Sequence, residues 1–183
     1  MPPLRSSHIN VNLRALEPED VDRLYLWEND RRLWPFGSTR APMSRHQIWE
    51  YATNYDANPF SAGQLRLIIE VTGATEETGE TTPCGTIDLY DIDPVNSRAK
   101  VGIMVAPQWR RTGIATAALA IAEEYCRHTL QLATIAADVA ADNLPSAKLF
   151  GESRRFTLVG RRPNWYRRGD TSAASLLYQK KLR

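Results

Sequence analysis

Apolar and polar positions alternate through Asn10, Val11, Asn12, Leu13, Arg14, Ala15 and Leu16, which predicts a half-buried first strand. The period then lengthens. Val21, Leu24, Tyr25 and Glu28 recur at helical spacing behind Pro18, Glu19 and Asp20, a proline and two acids suited to a first helical turn. Ser44, Arg45, His46 and Gln47 have the spacing of a capping box and lead Ile48, Tyr51 and Tyr55 as one face of a second helix that fades near Asn58 and Pro59. Between these helices, residues 29–42 mix turn formers with Trp34 and Phe36 and read as an irregular loop. Those two aromatics either wall a pocket or cap the core.

Three strands are predicted next, over 65–71, 84–91 and 98–105. The first two are joined by an acidic, turn-rich hairpin loop at 72–83, the last two by a turn at 93–97. Ala115, Ala118, Leu119, Ala122 and Cys126 place a long helix over 112–127, a further strand follows at 134–139, and a short helix starts within 142–146. Residues 156–160 and 175–179 are predicted to close the sheet as a hairpin whose basic, aromatic loop is 161–170. The order, β-α-α-β-β-β-α-β-α-β-β, is that of a mixed α/β fold.

At 183 residues and 43% hydrophobic content, the chain is expected to form a single domain with its core over about 11–182. No apolar run reaches the length of a membrane span and the amino terminus lacks the apolar core of a signal peptide, so a cytoplasmic protein without a membrane partner is expected. Cys84 and Cys126 are too few and too far apart for a disulfide framework or a zinc site. They read as buried free thiols, and no metal is expected. Net charge is only +2, which argues against a generic nucleic-acid binder. It is unevenly placed: after Asn143 there are ten basic residues and two acidic ones, so the remainder is acidic. A cationic end suits a polyanionic ligand and an acidic remainder a cationic one, unless both are simply solvated surface.

The stretch 101–119 joins a short apolar strand to a small-residue helix through Arg110, Arg111, Thr112 and Gly113. Unpaired amides and the helix dipole make such a start a place for phosphate oxygens, and the glycine permits close approach. An ordinary turn with two solvated arginines is the other reading. Neither a Walker A sequence nor G-x-G-x-x-G is present. Arg110, Gly113 and Ala115 do fit Q/R-x-x-G-x-G/A, the signature of the GNAT superfamily of acetyl-CoA-dependent N-acetyltransferases, which the chain resembles. Residues 13–20, 85–94 and 142–150 also resemble the subfamily of ribosomal-protein N-terminal and spermidine acetyltransferases.

That resemblance implies a GNAT fold: a mixed, mostly antiparallel central sheet with flanking helices and a splayed pair of strands that holds acetyl-CoA. Carried over by position, Arg111, Thr112, Gly113, Ile114, Ala115 and Thr116 would meet the pyrophosphate, with Arg110 adding charge. The backbone of Ile103, Met104 and Val105 would pair with the pantetheine arm, where this strand splays from the one near Ala136 to Val139. Asn143 would hold the arm from the other side, though it equally suits a helix cap. The place of the family's proton-donating tyrosine is Phe150, and the ending 151–156 is one residue longer than usual. Ser146 is then the candidate donor to the sulfur, or a plain first-turn residue. Asp88, mid-strand beside the cofactor strand, is the first candidate to bind or deprotonate the amine through water, and Glu28 the second; strand alternation could instead turn Asp88 to solvent. The implied reaction is direct acetyl transfer to a primary amine in a ternary complex: a protein N-terminal α-amine, a polyamine or another small amine. A non-catalytic acyl-CoA-binding module and RNA binding around Trp165 and Tyr166 are the competing functions, and a homodimer is compatible with the resemblance.

Overall fold

Seven strands form one sheet in the spatial order β1-β2-β3-β4-β5-β7-β6: β1 Asn10–Ala15, β2 Gln64–Thr72, β3 Thr81–Asp93, β4 Arg98–Val105, β5 Thr134–Ala140, β6 Thr157–Arg168 and β7 Thr171–Lys181. The structure is a computed structural model and describes residues 10–37, 40–56, 58–72, 81–152 and 156–183. Every neighbouring pair is antiparallel except β4 and β5, which run parallel. The helices are α1 Val21–Glu28, α2 Arg45–Thr53, α3 Pro59–Ala62, α4 Ile114–His128 and α5 Leu144–Glu152. A parallel neighbour cannot be reached by a hairpin, and α4 is the crossover that carries the chain from β4 to β5.

The pleat of β2 divides the core. Leu65 and Ile69 lie in the larger cluster with Ile87, Leu89 and Val101, covered by Ile114, Ala118, Leu119 and Cys126 of α4 and by Phe150 of α5. Ile68 points the other way and packs with Leu16, Leu24 of α1, and Ile48 and Ala52 of α2. The entry to α2 is the expected capping box: the Gln47 amide donates to Ser44 Oγ at 3.1 Å, and the Ser44 amide to Gln47 Oε1 at 2.8 Å. Such a cap contributes about 1 kcal/mol.

The sequence reading needs correction in three places. The predicted basic loop at 161–170 is strand: β6 runs to Arg168, β7 starts at Thr171, and only Gly169, at φ +61°, and Asp170 turn the chain. Pro163 is tolerated in a strand because β6 is the sheet edge and a bulge between Arg162 and Tyr166 interrupts the ladder there. The second helix ends at Thr53, before the expected fade near Asn58 and Pro59, and Asn58 starts a separate helix. That side chain accepts from the Phe60 amide at 3.0 Å and starts α3, which ends at Gly63 with φ +67°. The ends of the expected loop at 72–83 are paired, Thr72 against Thr81 and Val71 against Thr82, while its centre at 73–80 lies outside the described residues. The lengthened ending at 151–156 likewise falls partly outside them, at 153–155. Both cysteines are buried free thiols, as expected.

Candidate active site

Between β4 and β5 the ladder stops early. Only Arg98, Ala99 and Lys100 pair, with Thr134, Ile135 and Ala136, while on its other side β4 stays paired to β3 as far as Val105 with Gly85. Residues 101–105, including Ile103, Met104 and Val105, therefore have no ladder partner toward β5, and the sheet splays near Ala136 as the resemblance implied. Unpaired strand edges of this kind accept an extended ligand as an added strand. Gly85 sets the position of β4 here: a Cβ on it would stand 2.1 Å from the Met104 carbonyl oxygen.

The turn into α4 is built from left-handed residues, Arg111 at φ +63° and Gly113 at φ +86°. Thr112 steadies it by donating its hydroxyl to the Trp109 carbonyl at 2.6 Å. The first helical bond runs from the Ala117 amide to the Gly113 carbonyl at 3.1 Å, so the amides of Ile114, Ala115 and Thr116 precede the ladder. Arg110 and Val105, two expected ligand contacts, hold each other: Nε donates to the Val105 carbonyl at 2.9 Å. Asn143 caps α5, its Oδ1 accepting the Ser146 amide at 3.4 Å and its carbonyl the Ala147 amide at 2.9 Å. Ser146 is half-buried in the first turn of that helix. Phe150 is core, edge-on to Phe156 with centroids 5.0 Å apart and stacked on Tyr178 at 6.1 Å.

Asp88 and Glu28 meet through a residue the sequence did not single out. In the antiparallel ladder Arg66, Asp88 and Gly102 stand opposite one another and so share the face covered by α1 and α2. Arg66 donates through Nε to Asp88 Oδ1 at 2.6 Å, through Nη2 to Asp88 Oδ2 at 3.2 Å, and through Nη1 to Glu28 Oε1 at 2.7 Å. Asp88 thus points neither into the core nor freely to solvent. Burial works against the Arg66 charge, but the Asp88 carboxylate and then Glu28 outweigh it and raise the guanidinium's pKa. The Tyr51 ring lies 5.6 Å from the guanidinium, and burial pushes its hydroxyl up to about 12, so it stays neutral. The Tyr55 hydroxyl accepts the Arg66 backbone N–H. Together Leu24, Glu28, Met43, Ile48, Tyr51, Gln64 and Arg66 line a cleft of about 200 Å³. Asn29 fixes Met43 against the end of α1 by donating to the Tyr25 and Met43 carbonyls and accepting the Met43 amide, each at 2.9 Å.

Trp34 and Phe36 are not among the residues lining that cleft. Trp34 Nε1 donates to the Glu28 carbonyl at 2.8 Å, and Phe36 lies under Arg168 at 5.5 Å. The one sequence signal for Arg66 was a cation inside an apolar strand, between Leu65 and Leu67. Strand pairing was needed to show what it faces. Among the described residues no group of three or more His, Cys, Asp or Glu is placed to hold a metal, and no helix is long and apolar enough to cross a membrane.

The chain resembles known proteins across most of its length. A family model described as "Acetyltransferase (GNAT) domain" matches residues 10–153. A protein of Bacillus subtilis (strain 168), provisionally named ribosomal N-acetyltransferase YdaF, is 30% identical over 146 residues, 73% of this chain and 71% of its own. The spermidine N(1)-acetyltransferase of Escherichia coli (strain K12) is 25% identical over 66% of this chain and 58% of its own. In three dimensions, the spermidine N-acetyltransferase of Vibrio cholerae, solved in complex with CoA and spermine, superposes with a TM-score of 0.79 at 21% identity, covering 94% of this chain and 95% of that one. With sheet order, splayed strands and sequence kinship in agreement, the chain belongs to the GNAT acetyltransferase family, and its chemistry is acyl transfer to nitrogen.

Proposed function

We propose that this protein transfers the acetyl group of acetyl-CoA to the primary amine of a protein N-terminus or of a small amine, by direct attack and without a covalent enzyme intermediate. The observation that carries this reading is a juxtaposition. Asp88 is paired with Gly102 on β4, one strand away from the edge that the splay leaves free, and neighbouring strands are about 5 Å apart. Gly102 brings no side chain between them.

The residues present fit the donor. The amides of Ile114, Ala115 and Thr116, with those of Arg111, Thr112 and Gly113 in the turn before them, would hold the pyrophosphate, helped by the terminal nitrogens of Arg110 that the Val105 carbonyl leaves over. The backbone of Ile103, Met104 and Val105 would take the pantetheine arm. Acetyl-CoA supplies an activated carbonyl carbon: the C–N bond forms there, the C–S bond breaks, and the thiolate takes a proton. Asn143, already the cap of α5, would present its amide nitrogen to the arm and hold Ser146 beside it. The Ser146 hydroxyl is the proton donor, since Phe150 has none to give. On the acceptor side a carboxylate with a pKa near 4 cannot strip a proton from an ammonium near 10 efficiently. Asp88 and Glu28 therefore bind the ammonium, and water carries the proton away. Protein N-terminal amines have pKa values near 8, which lightens that task.

The test is thiol release from acetyl-CoA with a panel of amines. An Asp88→Asn variant should lose about tenfold or more in kcat/KM for the amine while still being stabilised by CoA. Full turnover by that variant at every pH removes Asp88 from the mechanism. Stabilisation of the wild type by CoA, with no thiol release to any amine, would make this a binding module instead.

A further inference from the structure

Two ion clusters in this sheet have the same composition, one arginine between two carboxylates, and differ in what completes them. Arg14 donates to Asp20 at 2.6 and 2.8 Å and to Glu70 at 2.6 Å. The negative charge left over is met by protein donors: the Glu17 amide reaches Asp20 at 3.1 Å and the Thr81 hydroxyl reaches Glu70 at 3.3 Å. Asp20 and Glu70 are buried, so that cluster is closed. In the second cluster the N–H groups of Arg66 are the only donors to Glu28 and Asp88 among the described residues. Their side chains remain 25% and 30% exposed, and Glu28 lines the cleft. One negative charge and several oxygen lone pairs are left without a partner at an open surface. Asp30 is matched to Arg32, Asp142 to Arg168 and Asp138 to Lys100 and Arg162, whereas Glu50 and Asp56, which line the adjoining cleft with Tyr51 and Gln64, are solvent-exposed.

We propose that Arg66 is a specificity-determining residue: it sets the acceptor site at one net negative charge, so that the site takes a single ammonium and discriminates against di- and polyamines. The inference rests on the acetyl-transfer reading and narrows its acceptor class. One ammonium hydrogen-bonded to Asp88 and Glu28 brings the cluster to neutrality, as protein donors do for the Arg14 cluster. A second ammonium a few ångströms further along the same molecule would meet a cluster already neutral and be repelled by the half-buried guanidinium, a charge that the exposed Glu50 and Asp56 of the adjoining cleft offset only through screening solvent. At an effective dielectric near 20, and discounted for partial exposure and screening, that repulsion amounts to roughly tenfold in relative kcat/KM. Removing the guanidinium leaves two carboxylates and should favour the dication by a similar factor.

The experiment compares n-butylamine with 1,4-diaminobutane, two acceptors of one carbon length that differ by a single ammonium. Wild type should prefer the monoamine. Arg66→Gln should raise the diamine-to-monoamine ratio of kcat/KM by about tenfold, with the gain shrinking as salt rises. Arg66→Lys, which keeps the charge but not the fork geometry, should stay within about threefold of wild type. Glu28→Gln removes one negative charge while keeping the half-buried arginine and an amide oxygen to accept its Nη1, and should raise KM for both amines, more for the diamine. An unchanged ratio in Arg66→Gln protein that still melts cooperatively and is stabilised by CoA overturns the inference. So does an equal shift in the Gln and Lys variants, which would mark a merely structural role. If Arg66→Gln fails to fold, the Glu28→Gln comparison decides, and equal KM changes for the two amines count against the inference. Wild type that acetylates no amine brings down the acetyl-transfer reading itself, a result the ratio test cannot mimic.

Discussion

Replacing Gly85 with alanine should damage the cofactor strand and little else. The added Cβ would stand 2.1 Å from the Met104 carbonyl oxygen and 3.1 Å from both Met104 C and Val105 Cα, all backbone atoms that cannot rotate away. A tolerable carbon–oxygen contact is more than 3 Å, so β3 and β4 must part by about an ångström at the point where the Ala106 amide reaches the Cys84 carbonyl at 2.8 Å. Overpacking of this kind costs about 1–3 kcal/mol and each ladder bond given up about 1 more, for a total of about 2–4 kcal/mol. In a chain of this length the melting temperature should fall by about 5–12 °C. Because the displaced strand is the one with the free edge, KM for acetyl-CoA should rise along with the loss of stability. Thermal unfolding with and without CoA, together with initial-rate kinetics, measures both. Gly102→Ala is the control for stability alone, for its Cβ would meet only the Tyr90 ring, at an ordinary 3.6 Å. A Gly85→Ala protein that melts within about 2 °C of wild type, with an unchanged acetyl-CoA KM, would refute the strand-positioning argument.

Gly113→Ala meets nothing within 4 Å but forces a side chain to φ +86°, so it should cost about 1–2 kcal/mol and weaken CoA binding several-fold by calorimetry. Burial pushes the thiols of Cys84 and Cys126 up to about 11 and about 12, so neither should react with a thiol reagent at pH 8 until denaturant is added; stoichiometric labelling of the native protein would contradict their placement. The Arg168 hydrogen bond holds the Asp142 carboxyl below its usual value. A carboxylate with a depressed folded pKa stabilises the fold above its unfolded pKa and loses that contribution as pH falls through the folded value. Melting temperature should therefore drop below about pH 4, and Arg168→Gln should show a shallower acid limb.

Apart from α3, the strands and helices of the first two thirds of the chain were legible because each carries a short-range cause: alternation in β1, a proline and two acids before α1, the Ser44–Gln47 box before α2. The strand-turn-helix joint was legible for the same reason. Arg110, Gly113 and the small residues of α4 are contiguous, and the free amides of Ile114 to Thr116 follow from helix geometry alone. Reading failed where local signals conflicted. The basic, aromatic stretch 161–170 looked like a loop, and only the position of β6 at the sheet edge made a proline and a bulge compatible with strand.

Sequence by itself therefore determined most of the element order, the family and the strand-turn-helix joint proposed to hold the donor, because those depend on residues that are neighbours along the chain. Tertiary structure decided the ion cluster proposed to hold the acceptor. Glu28, Arg66 and Asp88 are 38 and 22 positions apart, and nothing in their separate surroundings says that one guanidinium holds both carboxylates. Antiparallel pairing of β2 with β3 put Arg66 opposite Asp88, and the packing of α1 over that face brought Glu28 to the remaining nitrogen, Nη1, of the same guanidinium. Charge balance is a property of such meetings: it exists only once pairing and packing have brought distant residues within hydrogen-bonding reach.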